Sequence, residues 1–401
     1  MRATDYQGLV TATVTLTTAV DTLMADLGAG LGAIGMAVRT LFHAPNHPNP
    51  NLMLGLMVAL RDEGGPAFIL NCNAKDRLVV GQDRGREITV HEAWNLPMVG
   101  FMVDHPASQL AHLLRAPENA ILTVIDEGHL AFLEQAGLPP RSRVFCPHGG
   151  PEAIADPRPA RERGIDLMFS GNVGDPGPEA AWLERVGGGR PEIKAALAEA
   201  LEAVRAENRE PYAAIVGAYT RRGLPAAPLS VAKAVTELDG YAMMSRRFSV
   251  LRAIKGHRLT LLGEVSGTDA LGHHDLRGTT SFAAARRLMA ETKLLINSRS
   301  TFGRGGHERI FYGLSRGAVV ATEPSSFLAE DLAGGLGMVQ LPADPAGLDD
   351  FIADLLARPE RLDELRARGL AQYGERHSWR ERAGRIFAAL EAHAQAAPNR
   401  P

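Results

Sequence analysis

Cysteine is scarce. Two residues in 401, Cys72 and Cys146, cannot form a disulfide framework, and they fit a reducing, cytoplasmic setting or small buried side chains. Excess charge is missing as well. A formal net charge of −3 supplies no long-range attraction for nucleic acid or an anionic membrane. No apolar run reaches the roughly 18 residues that would suggest a membrane-spanning helix. The opening MRATDYQ, with one Arg and one Asp, is a poor signal-peptide n-region, so the apolar, threonine-studded stretch 8–20 reads as a first strand or helix of the fold. Several catalytic signatures are absent too: there is no Gly-x-Ser-x-Gly, no Walker loop, no zinc-type cysteine spacing and no Asp-x-Asp.

Some matches that are present carry little. Gly30-x-Gly32-x-x-Gly35 fits the dinucleotide fingerprint letter by letter, but it follows a helical pattern and precedes a strand, the reverse of the required order. His273-His274-Asp275 lies in a polar loop. His43 and His47 flank Pro45 and cannot share a continuous helix face. No metal or other cofactor is expected.

The remaining pattern is an alternation of short buried strands and helices, which argues doubly wound parallel sheets. The length suggests two domains. In the first, strands are expected over 33–42, 66–71, 85–94, 96–103, 120–125 and 143–146. Helices are expected over 51–61, 108–115 and from Asp126 to Gln135. The proline- and charge-rich stretch 150–164 marks a boundary, giving an N-terminal domain 1–160, a C-terminal domain 161–385 and a terminal helix end and tail 386–401. Within the second domain a helical insertion is expected over about 179–255, broken near Pro191, Pro211 and Pro225 to Pro228. Strands follow at 258–262, 293–296, 318–321 and 338–341, with helices at 281–291, 307–316, 348–357, 361–373 and 379–392.

The chain is organised around KLLINSRSTFGRGGHERIFYGLSRGAVVATE, residues 293–323. A strand runs into a Gly/Arg loop, a helix stopped by Gly317 and a second strand, which is one parallel α/β unit. Backbone N–H groups at that helix start suit a phosphate, with Gly303, Gly305 and Gly306 permitting close approach and Arg304 and Arg309 adding charge-assisted hydrogen bonds. The plain alternative is an ordinary βαβ loop with solvated arginines. Glu308 and Tyr312 are four apart and share a helix face; Tyr312 reads equally as a core aromatic.

Strand ends carry the other candidates. Asp104-His105-Pro106 follows the most apolar strand of the first half, so either residue could act as a general base, or the pair could simply cap the next helix. His148 ends the last strand before the boundary and is either a site residue or a bystander in a hinge turn. Gly171 and Asn172 follow the first strand of the second domain, where small residues admit a diphosphate or serve a simple turn. Gly263 and Glu264 close LTLLGE, with Glu264 either a ligand contact or a solvated carboxylate.

RIFYGLSRGAVVATE resembles the R-x-F-E-x-x-x-x-G-x-x-V stretch of group-1 glycosyltransferases, in particular the CgeB-like, spore-maturation branch. LMFSGN, LTLLGE and HSWRERAGRIF occur in the matching order, so the resemblance covers residues 166–392. It implies a GT-B-like fold of two Rossmann-like domains facing a cleft, with a C-terminal helix returning to the N-terminal domain. It implies transfer of a sugar from a nucleotide-sugar donor to a hydroxyl of a glycan or protein, without a metal. Donor-binding residues would be Gly171, Asn172, Gly263, Glu264, Arg304, Gly306, His307, Glu308, Arg309 and Tyr312. Asp104, His105 and His148 would serve catalysis from the acceptor domain. One position departs from the family: Tyr312 stands where a Glu usually holds the ribose. That departure motivates one alternative, a catalytically silent glycan- or partner-binding relative; a second is a nucleotide-sugar epimerase on the same fold.

Overall fold

The structure, a computed structural model, describes residues 7–13, 23–43, 54–55, 58, 67–75, 78–138, 142–267, 269–299 and 301–396. The expected helix over 51–61 and the His43/His47 pair fall largely outside these residues.

The chain forms two compact units, Met1–Gly149 with Trp379–Pro401, and Gly150–Ser378. The sequence reading put the boundary near residue 160; here the chain divides after Gly149. Stretch 150–164 is tied into the second unit by hydrogen bonds. Ile154 N–H donates to Ser315 O, Ala160 N–H to the Asp363 carboxylate, and the buried Arg163 guanidinium to Thr292 O and Arg316 O. Proline and charge mark a connection here, but those bonds decide which unit it joins.

In the first unit β1 (Gln7–Thr13), β2 (Ala37–His43), β3 (Phe68–Cys72), β6 (Met98–Met102), β7 (Ala120–Val124) and β8 (Ser142–Phe145) form one parallel sheet in the order β2-β1-β3-β6-β7-β8. Every residue of β6 and β7 is buried, which is why these strands read as continuous apolar runs. Between β3 and β6 sits a separate antiparallel hairpin, β4 (Val79–Asp83) and β5 (Arg86–Thr89). Its turn residues Arg84 and Gly85 both have positive φ, 49° and 82°, as two-residue hairpin loops favour. Two helix starts differ from expectation. Pro106–Gln109 is a 3-10 turn that leads into the short helix Leu110–Leu113. The helix expected from Asp126 begins at His129, because the Asp126 carboxylate accepts from Gly128 N–H at 2.8 Å and closes a turn first.

The terminal helix Trp379–Ala396 returns to the first unit, packing on helix Leu23–Ala33 and on β7 and β8. This contact accounts for Gly30, the first of the three glycines that mimic a dinucleotide fingerprint. A Cβ on Gly30 would lie 2.5 Å from the Trp379 carbonyl oxygen, so only glycine lets the two helices approach. Gly35, with φ of 91°, ends the turn after the helix.

In the second unit β9 (Ile165–Ser170), β11 (Thr260–Leu262), β13 (Asp275–Leu276), β14 (Thr292–Asn297), β15 (Val319–Thr322) and β16 (Met338–Gln340) form a second parallel sheet, ordered β13-β11-β9-β14-β15-β16. The two-residue strands β10 (Val173–Gly174) and β12 (Val265–Ser266) pair beside it. Four helices fill the connection from β10 to β11: Glu179–Gly187, Pro191–Glu207, Pro211–Arg221 and Pro228–Ala253. Pro191, Pro211 and Pro228 each open a helix, where the missing N–H costs nothing. Helix Glu308–Ser315 crosses from β14 to β15. Gly313 lets it lie on the sheet, since a Cβ there would meet Leu295 Cδ2 at 2.5 Å. His274 is structural: its Nδ1 accepts from Leu259 N–H and its Nε2 lies 3.3 Å from Leu251 O, so both ring nitrogens are engaged by backbone.

Candidate functional site

The carboxyl ends of β9, β11 and β14 meet at one rim of the second sheet. Leu262 pairs with Ser170, which sets Gly263 beside Gly171. The approach is close. Gly263 (φ 130°) leaves no room for a side chain, because a Cβ would sit 2.4 Å from Gly171 O. Gly171 (φ 146°) faces Arg309, whose Nη2 would lie 2.8 Å from a Cβ. Asn172 locks the neighbouring loop: its Oδ1 accepts from Glu264 N–H at 2.9 Å, and its carbonyl accepts from Arg247 Nη1. Gly171, Asn172, Gly263, Glu264 and Arg309 are thus brought together at this rim.

Helix Glu308–Ser315 starts at this rim, and no side chain caps its first turn. Arg309 is 3% exposed, with its guanidinium carbon 4.7 Å from the centre of the Phe169 ring. Nη2 donates to His307 Nε2 at 2.6 Å, while Nε and Nη1 are buried without a hydrogen-bond partner. The other nitrogen of His307, Nδ1, lies 2.5 Å from Glu308 Oε2. Burial, and then the Arg309 charge, push the His307 pKa down to about 3, so the ring is neutral and accepts from Arg309 through Nε2. Burial, with Arg247 beside it, pushes Arg309 down to about 9.

Arg247 is the residue the sequence reading missed. It is 5% exposed, sits on helix Pro228–Ala253, and brings its guanidinium carbon to 5.6 Å from the same Phe169 ring. Its signal was available: Arg247 stands three and four residues before the buried Val250 and Leu251, on a helix face that should hold apolar residues.

Other expected donor-side residues lie elsewhere. Tyr312 is a buried core aromatic, its ring edge-on to that of Phe282. Gly306 packs against the Phe311 ring, and Arg304 is exposed in the loop.

In the first unit the three candidates differ from one another. Asp104 is exposed at the end of β6, and its Oδ2 accepts from Asn73 Nδ2 at 2.8 Å and from Gln109 Nε2 at 3.1 Å. His105 is 2% exposed, and its Nδ1 accepts from Ala107 N–H at 3.0 Å, capping the 3-10 turn. Its ring lies 4.6 Å from that of His129, whose pKa burial holds well below the usual range. His148 is buried near Phe101 and Trp379, and its carbonyl accepts from the fully buried Arg382.

Residues 246–388 match the model of a family described as glycosyl transferase-like. No curated protein matches the chain. Among solved structures, an alpha-glucosyltransferase in complex with UDP and a 13-mer DNA containing an HMU base aligns with a TM-score of 0.50 at 8% identity, over 96% of this chain and 99% of that one. AviGT4, a glycosyltransferase involved in avilamycin A biosynthesis, aligns at 0.48 and 12% identity, over 98% and 99%. Sucrose-phosphate synthase from Thermosynechococcus elongatus aligns at 0.48 and 11%, over 98% and 100%. Likeness at these identities is one of fold. The chain has the expected fold class, two parallel α/β sheets in two units, and the matched segment, residues 246–388, carries both Arg247 and Arg309.

Proposed function

We propose that the protein is a glycosyltransferase whose second unit binds a nucleotide-sugar donor. One observation carries this reading: the buried Arg309 guanidinium, at an uncapped helix start and against Gly171, has two nitrogens without a hydrogen-bond partner. A buried guanidinium with two donors left unpaired is costly, and a phosphate arriving at Gly171 and the helix N–H groups would satisfy them. In transfer, the bond from the sugar C1 to the phosphate oxygen breaks and a bond from the acceptor oxygen to C1 forms. The acceptor hydroxyl gives its proton to a base, and the nucleoside diphosphate leaves as an anion stabilised by guanidinium and helix dipole. With protein cations to hold the leaving group, the reading is of metal-independent transfer.

The acceptor, a glycan or protein hydroxyl, is assigned to the first unit. Asp104, the exposed candidate among three, is the residue proposed as base there. Membership of the CgeB-like branch is part of the same proposal. Tyr312, a core residue, leaves ribose contact to other groups; Glu308 is the nearest carboxylate on that helix.

The test is a thermal-shift screen with UDP, GDP, CMP, TDP and ADP, followed by hydrolysis and transfer assays with the matching sugars. One nucleotide should raise the melting temperature, and Arg309→Ala should abolish the shift. A folded protein that responds to none of them would overturn the donor-site reading in favour of a silent binding module. Conversion of the sugar nucleotide without an acceptor would point to an epimerase.

A further inference from the structure

The connection from β10 to β11 carries four helices, where a crossover between parallel strands needs one. Side chains of this insertion hold the loop that leads from β14 into helix Glu308–Ser315. Asp239, on helix Pro228–Ala253, accepts from Thr301 Oγ1, and Asn208, which ends helix Pro191–Glu207, accepts through Oδ1 from Arg299 Nη2. Arg246, on the same helix as Asp239, pairs with Glu323 Oε1 at 2.7 Å, while Glu323 Oε2 accepts from Arg299 N–H at 2.9 Å. Arg299 and Thr301 are both buried. The approach is close: a Cβ on Gly303 would come within 3.2 Å of the Asn208 carbonyl oxygen. The second half of the loop is held from beyond β15, where Ser326 N–H donates to Gly303 O at 3.0 Å and Ser325 Oγ donates to Gly305 O at 2.7 Å. The loop then runs into the candidate site. The Phe302 ring lies 5.9 Å from that of His307, whose Nε2 accepts from Arg309.

A loop with three glycines is costly to order, because glycine loses more backbone freedom than any other residue. Contacts made before a ligand arrives remove that cost from binding. We infer that the helical insertion is a clamp on this loop, and that Asp239 and Asn208 are positioning residues. They act through Thr301 and Arg299, rather than on the ligand, to hold His307 and Arg309 in the arrangement that a nucleotide binds. The inference rests on the donor-site reading above and adds to it a function for the insertion.

The experiment is titration calorimetry on the full chain with UDP, GDP, CMP, TDP and ADP, together with amide hydrogen exchange of the unliganded protein. The wild type should bind one of these nucleotides. Asp239→Ala and Thr301→Val should each weaken that binding by about 10-fold, the lower end for a hydrogen bond to a charged group. The double variant should lose no more than either single one, because both remove the same bond. Thr301→Ser, which keeps the hydroxyl, should bind as wild type does. Asn208→Gly keeps the left-handed helix end, with φ of 54°, and removes only the side-chain acceptor; it should weaken binding as well. In each weakened variant exchange should rise over residues 298–306 and stay at the wild-type level in β9 and β15. Wild-type affinity in both Asp239→Ala and Asn208→Gly would overturn the clamp while leaving the donor site intact. Losses that add in the double variant, or that persist in Thr301→Ser, would overturn it too and make these contacts merely structural. No binding of any nucleotide by the wild type would remove the donor-site reading and the clamp with it.

Discussion

The two units end their central strands in opposite ways. At the carboxyl end of β6 the polar side chains answer one another: Asn73 and Gln109 donate to Asp104, and His105 accepts from the turn that follows it. At the ends of β9 and β14 two buried guanidiniums lie against one aromatic ring and keep buried donors without a hydrogen-bond partner. Both ends occupy the position where open α/β sheets bind ligands. The difference teaches that position alone does not identify a site. A strand end whose polar groups are satisfied internally is complete as a structural element, whereas a buried guanidinium with unpaired donors is complete only when something brings the missing acceptor.

The comparison can be broken most directly by supplying an anion. A nucleotide at about 100 times its dissociation constant should stabilise the protein by about 2.7 kcal/mol, and Arg309→Met should erase the gain in a melting experiment. The glycine contacts come next. Gly263→Ala should cost about 1–3 kcal/mol from the positive φ, with more from the backbone of Gly171 that the new Cβ would meet. Gly30→Ala should destabilise comparably in the first unit, where the obstacle is the Trp379 carbonyl. Urea denaturation of both variants measures this; a Gly263→Ala protein of wild-type stability would mean the rim can yield.

Acid tests buried neutrality in each unit. Burial holds His91 down to about 4 and His307 down to about 3. Below about 6.5 the unfolded chain takes up protons that the folded chain refuses. Each histidine therefore contributes stability that is complete above that pH and falls as pH drops, by at most about 1.4 kcal/mol per unit. Denaturant midpoints between pH 7 and 4 should show the slope, and His91→Gln should flatten it. The smallest effect separates two roles of His105. His105→Ala should lose a cap worth about 1 kcal/mol, whereas His105→Asn should retain it. If His105→Asn keeps its stability but loses transfer to an acceptor, the ring does chemistry after all and the contrast between the units weakens.

Much of the fold was legible because its signals are local. Pro191, Pro211 and Pro228 open the helices of the insertion where φ and the missing N–H require it, and Ser281 caps the helix Phe282–Ala290. The apolar runs of β6, β7 and β14 announce strands buried on both faces. The short turns at Pro106–Gln109 and before His129 were not legible at the residue level, because one Asp or His serves equally as a cap, a turn or a base.

By itself the sequence determined the order of strands and helices, the parallel α/β class and the glycine and arginine composition of the rim, since propensity, capping and periodicity act over a few neighbouring residues. Only the tertiary structure decided what those residues meet. It set Arg247 and Arg309 against the same Phe169 ring, from positions 62 residues apart. It turned Tyr312 into the core, drew stretch 150–164 into the second unit and gave Gly30 a helix to lie against. Burial and charge balance arise from contacts between distant segments, and no local pattern encodes them.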